Sequence, residues 1–438
     1  MSFLISFQKS LRFKEGEVFL MKIALSLAEM SLGGGPKFTL NLGQYLVGAG
    51  HNVTITTERQ GEWWPELAAC GLTGHCLPPP QPGASFVRRA RQLANYWNSR
   101  NFDVIIVNVS GLNRLAQCAL HLVVDRTAVV LILHGEWNSL YTLAARNIAA
   151  WNCAVGVSPK VYEGAAARFP QKPIFCIHNG IELPSAVQLQ ARLNWELPLR
   201  LLFVGRLIDA HKGVFRLPAI LSMCRKHNLP VQLTVIGDGE DSDRLAQLFV
   251  EAGVNNLVNM TGAQPPTSIS AAMQRHHLFI FPTNTEGMPL VVLEAQASGC
   301  VVIATALPGI TDVAIEDQIT GRLVEPGDIK QFAAHIAAMM KPTVWQSHSH
   351  AAIERAQRMF SLSVMGDQYL ELLEALTRGT CPLERPYNRA RSCNTVPFTP
   401  LDYLPLLLFQ YMPSSLLHRL GQVKHKLRRI VGVHIGKS

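Results

Sequence analysis

Short runs of branched apolar residues alternate with helix-length stretches from Met21 onward, and that alternation predicts the fold. Runs at 22–27, 52–56, 103–107, 128–133, 154–157 and 173–177 read as strands. Segments 35–47, 86–98, 112–122 and 139–149 read as the helices between them. The runs VIIV and VVLIL are apolar on both faces, which is the mark of a parallel sheet covered by helices on either side. The alternation lapses over 182–200, where two prolines interrupt a stretch without regular periodicity. It resumes with runs at 201–204, 232–236, 278–281, 301–304 and 321–324, and closes with helical patterns at 346–360 and 363–377. The prediction is an α/β chain of two doubly wound halves, with ligands held in the cleft between them at the carboxyl ends of the strands. The expected divisions are a leader over 1–20, a first domain over 21–185 and a linker over 186–200. A second domain then spans 201–360, a terminal helix over 361–380 packs back on the first domain, and 381–438 form a tail.

Composition agrees with two packed cores. The chain has 438 residues, 48 % apolar and 16 % charged, too long for one ordinary core and too apolar for disorder. Its formal charge of +9 first suggests nucleic acid, phosphates or an anionic membrane as partners. Residues 381–438 carry nine Lys/Arg against two acids, so +7 of the surplus belongs to the tail and only +2 to the rest. The near-neutral body gives no basic face for nucleic acid, which is not expected as a partner. Within the tail, 416–433 mixes leucine with Lys, Arg and His, a pattern for an anionic membrane surface or for a solvated basic tail. The nine cysteines are scattered without a C-x-x-C pair, which fits reduced thiols and predicts neither disulfides nor zinc. No run approaches 18 uninterrupted apolar residues. The opening twenty residues lack signal-peptide organisation, since Gln8 and Lys9 break the apolar stretch, and Met21 is a second candidate start.

Three motifs carry chemistry. Gly33, Gly34 and Gly35 follow the first strand and open a helix, where bare backbone and a helix N-terminus suit an anion. A dinucleotide fingerprint fails there because Phe38 stands where its last glycine belongs, which disfavours an NAD-dependent oxidoreductase. The second half opens with Phe203-Val204-Gly205-Arg206-Leu207 and continues with His211-Lys212-Gly213, so two cations can converge on a diphosphate. The third motif is Glu286-Gly287-Met288-Pro289-Leu290-Val291-Val292-Leu293-Glu294. Its two glutamates lie eight apart, about 2.2 helical turns, so both can face one cleft. Backbone N–H groups from Gly287 to Val291 can grip phosphate, and Glu294 can accept two hydroxyls. The competing reading is acid pairing with the helix dipole, which suits Glu286 alone better than Glu294 inside an apolar helix. Asp241-Ser242-Asp243 has the D-x-D form of a metal site but precedes a helical run, where it reads as a cap. Arg88, Arg89 and Arg91 read as a solvated helix face, with a phospholipid or an anionic acceptor as the alternative.

These motifs together resemble the retaining nucleotide-sugar glycosyltransferases of family 4. The resemblance rests on VGRL, HKG, EGMPLVVLEA, PGITDV and TGRLVEPGD in the second half. The glycine loop, Gly50-His51-Asn52-Val53 and His178-Asn179-Gly180-Ile181-Glu182 carry it in the first, and together it spans residues 21–378. It implies the GT-B fold, two Rossmann-like domains facing a central cleft. It also implies that Arg206 and Lys212 bind the donor diphosphate, Glu294 the ribose, and Glu286 the transferred sugar. His134, at the end of the 128–133 strand, matches a histidine beside the donor sugar; a structural role is the alternative. The implied activity is transfer of a hexosyl-type sugar from a nucleotide diphosphate-sugar to a saccharide or lipid-linked acceptor, without metal or other cofactor. Such enzymes serve bacterial cell-envelope polysaccharide or lipopolysaccharide synthesis, in the cytoplasm or at the inner face of its membrane. A non-catalytic nucleotide-sugar binding or scaffold protein of the same fold is the alternative.

Overall fold

The structure, a computed structural model, describes residues 20–379 except 82–83, 111–112 and 191–194. Residues 1–19 of the expected leader and the basic tail over 381–438, including 416–433, lie outside the described residues. Two sheets organise the chain. The first contains β1 (Lys22–Ser26), β2 (Asn52–Thr57), β3 (Thr73–Cys76), β4 (Val104–Asn108), β5 (Ala128–Leu133), β6 (Cys153–Gly156) and β7 (Ile174–Cys176). Their order is β3-β2-β1-β4-β5-β6-β7 and every pairing is parallel. The second contains β8 (Leu199–Val204), β9 (Val231–Ile236), β10 (Val258–Met260), β11 (Leu278–Phe281), β12 (Val301–Thr305) and β13 (Gly321–Val324). Its order, β10-β9-β8-β11-β12-β13, is again wholly parallel. This is the predicted pair of doubly wound α/β units.

Parallel strands require crossovers, and the helices between them bury both faces of each sheet. β4, β5 and β12 are accordingly buried at nearly every position. Two strands escaped the sequence pattern. β3 (TGHC) and β10 (VNM) are short, partly exposed edge strands with one neighbour each, so neither needs an apolar run. In each sheet the strand order reverses beside the first strand, between β1 and β4 and between β8 and β11. The loops leaving β1 and β8 carry the glycine run and Arg206, so topology sets both at switch points.

The last helix, Leu362–Thr377, returns to the first domain. Tyr369 is fully buried against Phe38, rings 5.8 Å apart, and Gly366 lies where a Cβ would sit 2.2 Å from the Tyr45 ring. Ile181 donates its N–H to Phe360 O at 2.9 Å, and Leu362 donates back to Ile181 O at 2.9 Å. No disulfide joins the seven cysteines among the described residues. No helix among the described residues is long and apolar enough to cross a membrane.

Candidate active site

The cleft is built from loops at the strand ends. After β8 the chain passes the exposed Arg206, whose side chain makes no hydrogen bond or ion pair among the described residues. A single turn, Asp209–Lys212, then ends at Gly213, where φ is +59° and a Cβ would lie 2.0 Å from Pro282 O. Only glycine allows that approach. It brings Lys212 beside the loop after β11. There the Lys212 ammonium donates to Glu286 Oε1 at 2.5 Å and sits 5.2 Å from the Phe281 ring centre. The two loops are also sewn together through backbone. His211 O accepts from Asn284 N at 2.9 Å and Thr285 N at 3.3 Å, and Asn284 Nδ2 donates to Asp209 O at 2.8 Å. The Thr283 hydroxyl lies 2.8 Å from Glu286 Oε1 and 3.0 Å from His211 O, its one proton serving either. Both charged groups are mostly buried, and such a pair persists because each partner satisfies the other.

The helix that follows differs from expectation. It spans Leu290–Ala297, with Pro289 at the N-cap position, so Gly287 and Met288 precede it. Proline has no N–H, which leaves four donors, on Gly287, Met288, Leu290 and Val291, instead of five. None of the four donates within the protein among the described residues. Glu294 lies in the second turn, partly exposed, with no hydrogen-bond or ion-pair partner among the described residues. Burial raises its carboxyl above the ordinary value, while Lys37 of the first domain pulls the other way.

The first domain closes on this loop at two points. A Cβ on Gly287 would lie 1.8 Å from His134 O, and Asn179 Nδ2 donates to Met288 O at 2.9 Å. His134 is therefore carried to the edge of the second domain's motif. Its Nε2 lies 2.6 Å from Asn108 Oδ1, and its ring meets Phe38 edge-on at 4.9 Å. Burial alone pushes the imidazole down to about 4, so it is neutral at physiological pH. Trp137, three residues on, is exposed and meets His211 edge-on at 6.4 Å. Gly33 occupies the N-cap position of the helix Gly34–Gly48, and a Cβ on Gly34 or Gly35 would meet nothing within 4 Å. Packing does not require those two glycines, which leaves open backbone for a ligand.

The structure thus gathers Lys212, Glu286, Gly287, Met288 and His134, with Glu294 facing Lys37 electrostatically and Arg206 free on the strand end. Lys37 and Asn108 escaped the sequence reading. The available signals were a cation just past the glycines and a polar residue closing an apolar strand. Two readings change. Asp241 sits at an N-cap position, yet its carboxylate accepts the Asp209 N–H at 2.6 Å instead of capping the helix. Arg89 is not solvated: it is buried, donating to Pro78 O and, at 3.2 Å, to Gln92 Oε1, while Arg88 and Arg91 are exposed.

Glu294 yields a stability prediction. A carboxyl with a raised pKa in the fold disfavours the folded state once ionised, so stability falls as pH rises through its titration. Glu294→Gln is expected to stabilise the unliganded protein at neutral pH by about 0.5–2 kcal/mol. In thermal melts the gain should vanish below about pH 4, where the wild-type carboxyl is protonated. An unchanged or lower melting temperature at neutral pH contradicts the assignment.

Comparison with known proteins finds relatives for both halves of the chain. Residues 32–184 match the family model for Glycosyltransferase Family 4, and residues 190–359 match that for Glycosyl transferases group 1. The D-inositol 3-phosphate glycosyltransferase of Segniliparus rotundus is 31 % identical over 182 residues, 40 % of this chain and 40 % of that protein. The amylovoran biosynthesis glycosyltransferase AmsK of Erwinia amylovora is 26 % identical over 219 residues, 47 % of this chain and 52 % of that one. The chain thus aligns with about half or less of the length of these relatives. The crystal structure of Anabaena HepE with UDP-glucose superposes with a TM-score of 0.68 at 17 % identity, over 81 % of this chain and 100 % of that one. With one family model on each sheet and the neighbours' two-domain fold, the chain belongs to the GT-B glycosyltransferases, family 4 in its first half and group 1 in its second.

Proposed function

We propose that this protein is a retaining glycosyltransferase that moves a hexosyl unit from a nucleotide diphosphate-sugar to a saccharide or lipid-linked acceptor of the bacterial cell envelope. One observation carries the reading: a cation held on a glutamate, Lys212 on Glu286, beside four free backbone N–H groups at a helix start. Departure of a nucleoside diphosphate builds negative charge on its phosphate oxygens. Preorganised donors aimed at that charge are each worth about 2.7–4 kcal/mol in water-poor sites. Lys212 keeps two N–H bonds beyond the one to Glu286, and Arg206 has its whole guanidinium available. In this proposal the two cations and the backbone donors stabilise the leaving group without a metal.

The Glu294 carboxylate, without a protein partner among the described residues, accepts the ribose hydroxyls. Glu286 has one oxygen occupied by Lys212 and Thr283. Its other oxygen orients a sugar hydroxyl. A carboxylate so engaged is a poor nucleophile, which supports same-face substitution, with a departing phosphate oxygen taking the acceptor's proton. His134, neutral at physiological pH, is a hydrogen-bonding group beside the sugar and no proton donor to the leaving group.

Anabaena HepE was crystallised with UDP-glucose, which makes that donor the first to test, and AmsK is named for amylovoran biosynthesis. Nucleotide release from UDP-sugars, followed by mass spectrometry and NMR of the product, is expected to show transfer with the anomeric configuration kept. Lys212→Ala should lower turnover at least about a hundredfold without unfolding the protein. Near wild-type turnover in that variant removes Lys212 from the mechanism, and absence of transfer by the wild type favours a non-catalytic binding role. The basic tail places the enzyme on the inner face of the cytoplasmic membrane in this reading. Deleting 381–438 should abolish sedimentation with anionic liposomes and leave nucleotide binding intact; unchanged sedimentation contradicts the tail's role.

A further inference from the structure

His134 has two ring nitrogens, and its surroundings decide which carries the proton. Thr39 Oγ1 donates its single proton to Gly35 O at 3.0 Å, so toward Asn108 it can only accept. Asn108 Nδ2 lies 3.1 Å from that hydroxyl and 3.3 Å from Ser26 O, a carbonyl that also only accepts. Two acceptors therefore fix the amide nitrogen of Asn108 on their side, and its oxygen must face His134. Across the 2.6 Å contact the only proton available is on Nε2. The neutral ring then carries its lone pair on Nδ1. That atom has no protein partner among the described residues, and the ring is only partly buried. Asn108 itself is buried, and Asn113 Nδ2 holds its backbone carbonyl at 2.9 Å and Ser26 O at 3.1 Å.

We infer that Asn108 is a positioning residue for sugar transfer: it locks His134 in the Nε2–H tautomer, so that Nδ1 accepts a hydrogen bond from a hydroxyl of the sugar in the cleft. The inference rests on the proposed reading of the cleft as a sugar site. The chain of bonds runs from the Gly35 carbonyl through Thr39 and Asn108 to the imidazole, tying the glycine loop to the histidine. A sugar hydroxyl bound there donates to His134. Burial is the whole cause of the imidazole's lowered pKa, with no charged side chain contributing, so the acceptor persists at physiological pH.

The test is long-range proton–nitrogen NMR on the full-length protein labelled with nitrogen-15 in histidine. His134 is identified as the signal missing from His134→Gln. The wild type is expected to show a protonated Nε2 and a bare Nδ1, without titration between about pH 5.5 and 8. A protonated Nδ1, or titration in that range, overturns the inference. Asn108→Leu keeps similar bulk and removes the acceptor. It should turn His134 into a mixture of tautomers and raise the KM for UDP-glucose about tenfold, the value of one hydrogen bond. An Asn108→Leu protein that loses activity with the tautomer unchanged also overturns it, since Asn108 then acts only on the fold. The tautomer is read without turnover, so failure of UDP-glucose as donor appears separately, as absent nucleotide release with the Nε2–H signal intact.

Discussion

No side chain fits between Gly287 and the carbonyl of His134, because a Cβ there would lie 1.8 Å from the oxygen. That backbone approach is the constraint on which the cleft depends. It sets the start of the second domain's motif against the end of β5, and so brings the Glu286–Met288 loop of one sheet against His134 of the other. Asn179 secures the same junction from the next loop by holding Met288 O at 2.9 Å. The return of the final helix onto the first domain, with Tyr369 buried against Phe38, also joins the two ends of the described chain.

Within that frame the charges divide into satisfied and waiting. Lys212 and Glu286 are mostly buried and meet at 2.5 Å, so neither is left bare in the unliganded protein. Arg206 and Glu294 lack such partners among the described residues, and burial makes ionisation of Glu294 unfavourable. If Glu294 binds the donor as proposed, its unfavourable state before the ligand arrives costs stability and returns it as affinity. The histidine follows the opposite rule. It is kept neutral by burial and aimed by a hydrogen-bond chain, so its contribution is geometric.

Much of this was legible in the sequence because the signals were local. The runs VIIV and VVLIL announced buried parallel strands, and glycines, a glutamate pair and an Arg–Lys pair marked the strand ends. β3 and β10 were missed because edge strands need no apolar face. The row of backbone donors expected from Gly287 to Val291 is one shorter, since Pro289 has no N–H and the helix begins only at Leu290. The pairing of Lys212 with Glu286 spans 74 residues of sequence, and the bond from His134 to Asn108 spans 26. Such contacts exist only once the strand order is known. Arg89 shows the same limit in reverse: its neighbours Arg88 and Arg91 are exposed, and nothing in the sequence distinguishes the buried one.

The central claim is that the cleft binds a nucleoside diphosphate through paired cations supplied by the second domain. Calorimetric titration of UDP into the full-length protein and into the Arg206→Ala/Lys212→Ala double variant tests it most directly. With each charge-assisted contact worth about 1.5–3 kcal/mol, the double variant should bind UDP at least about a hundredfold more weakly. Equal affinities in the two proteins would contradict the account.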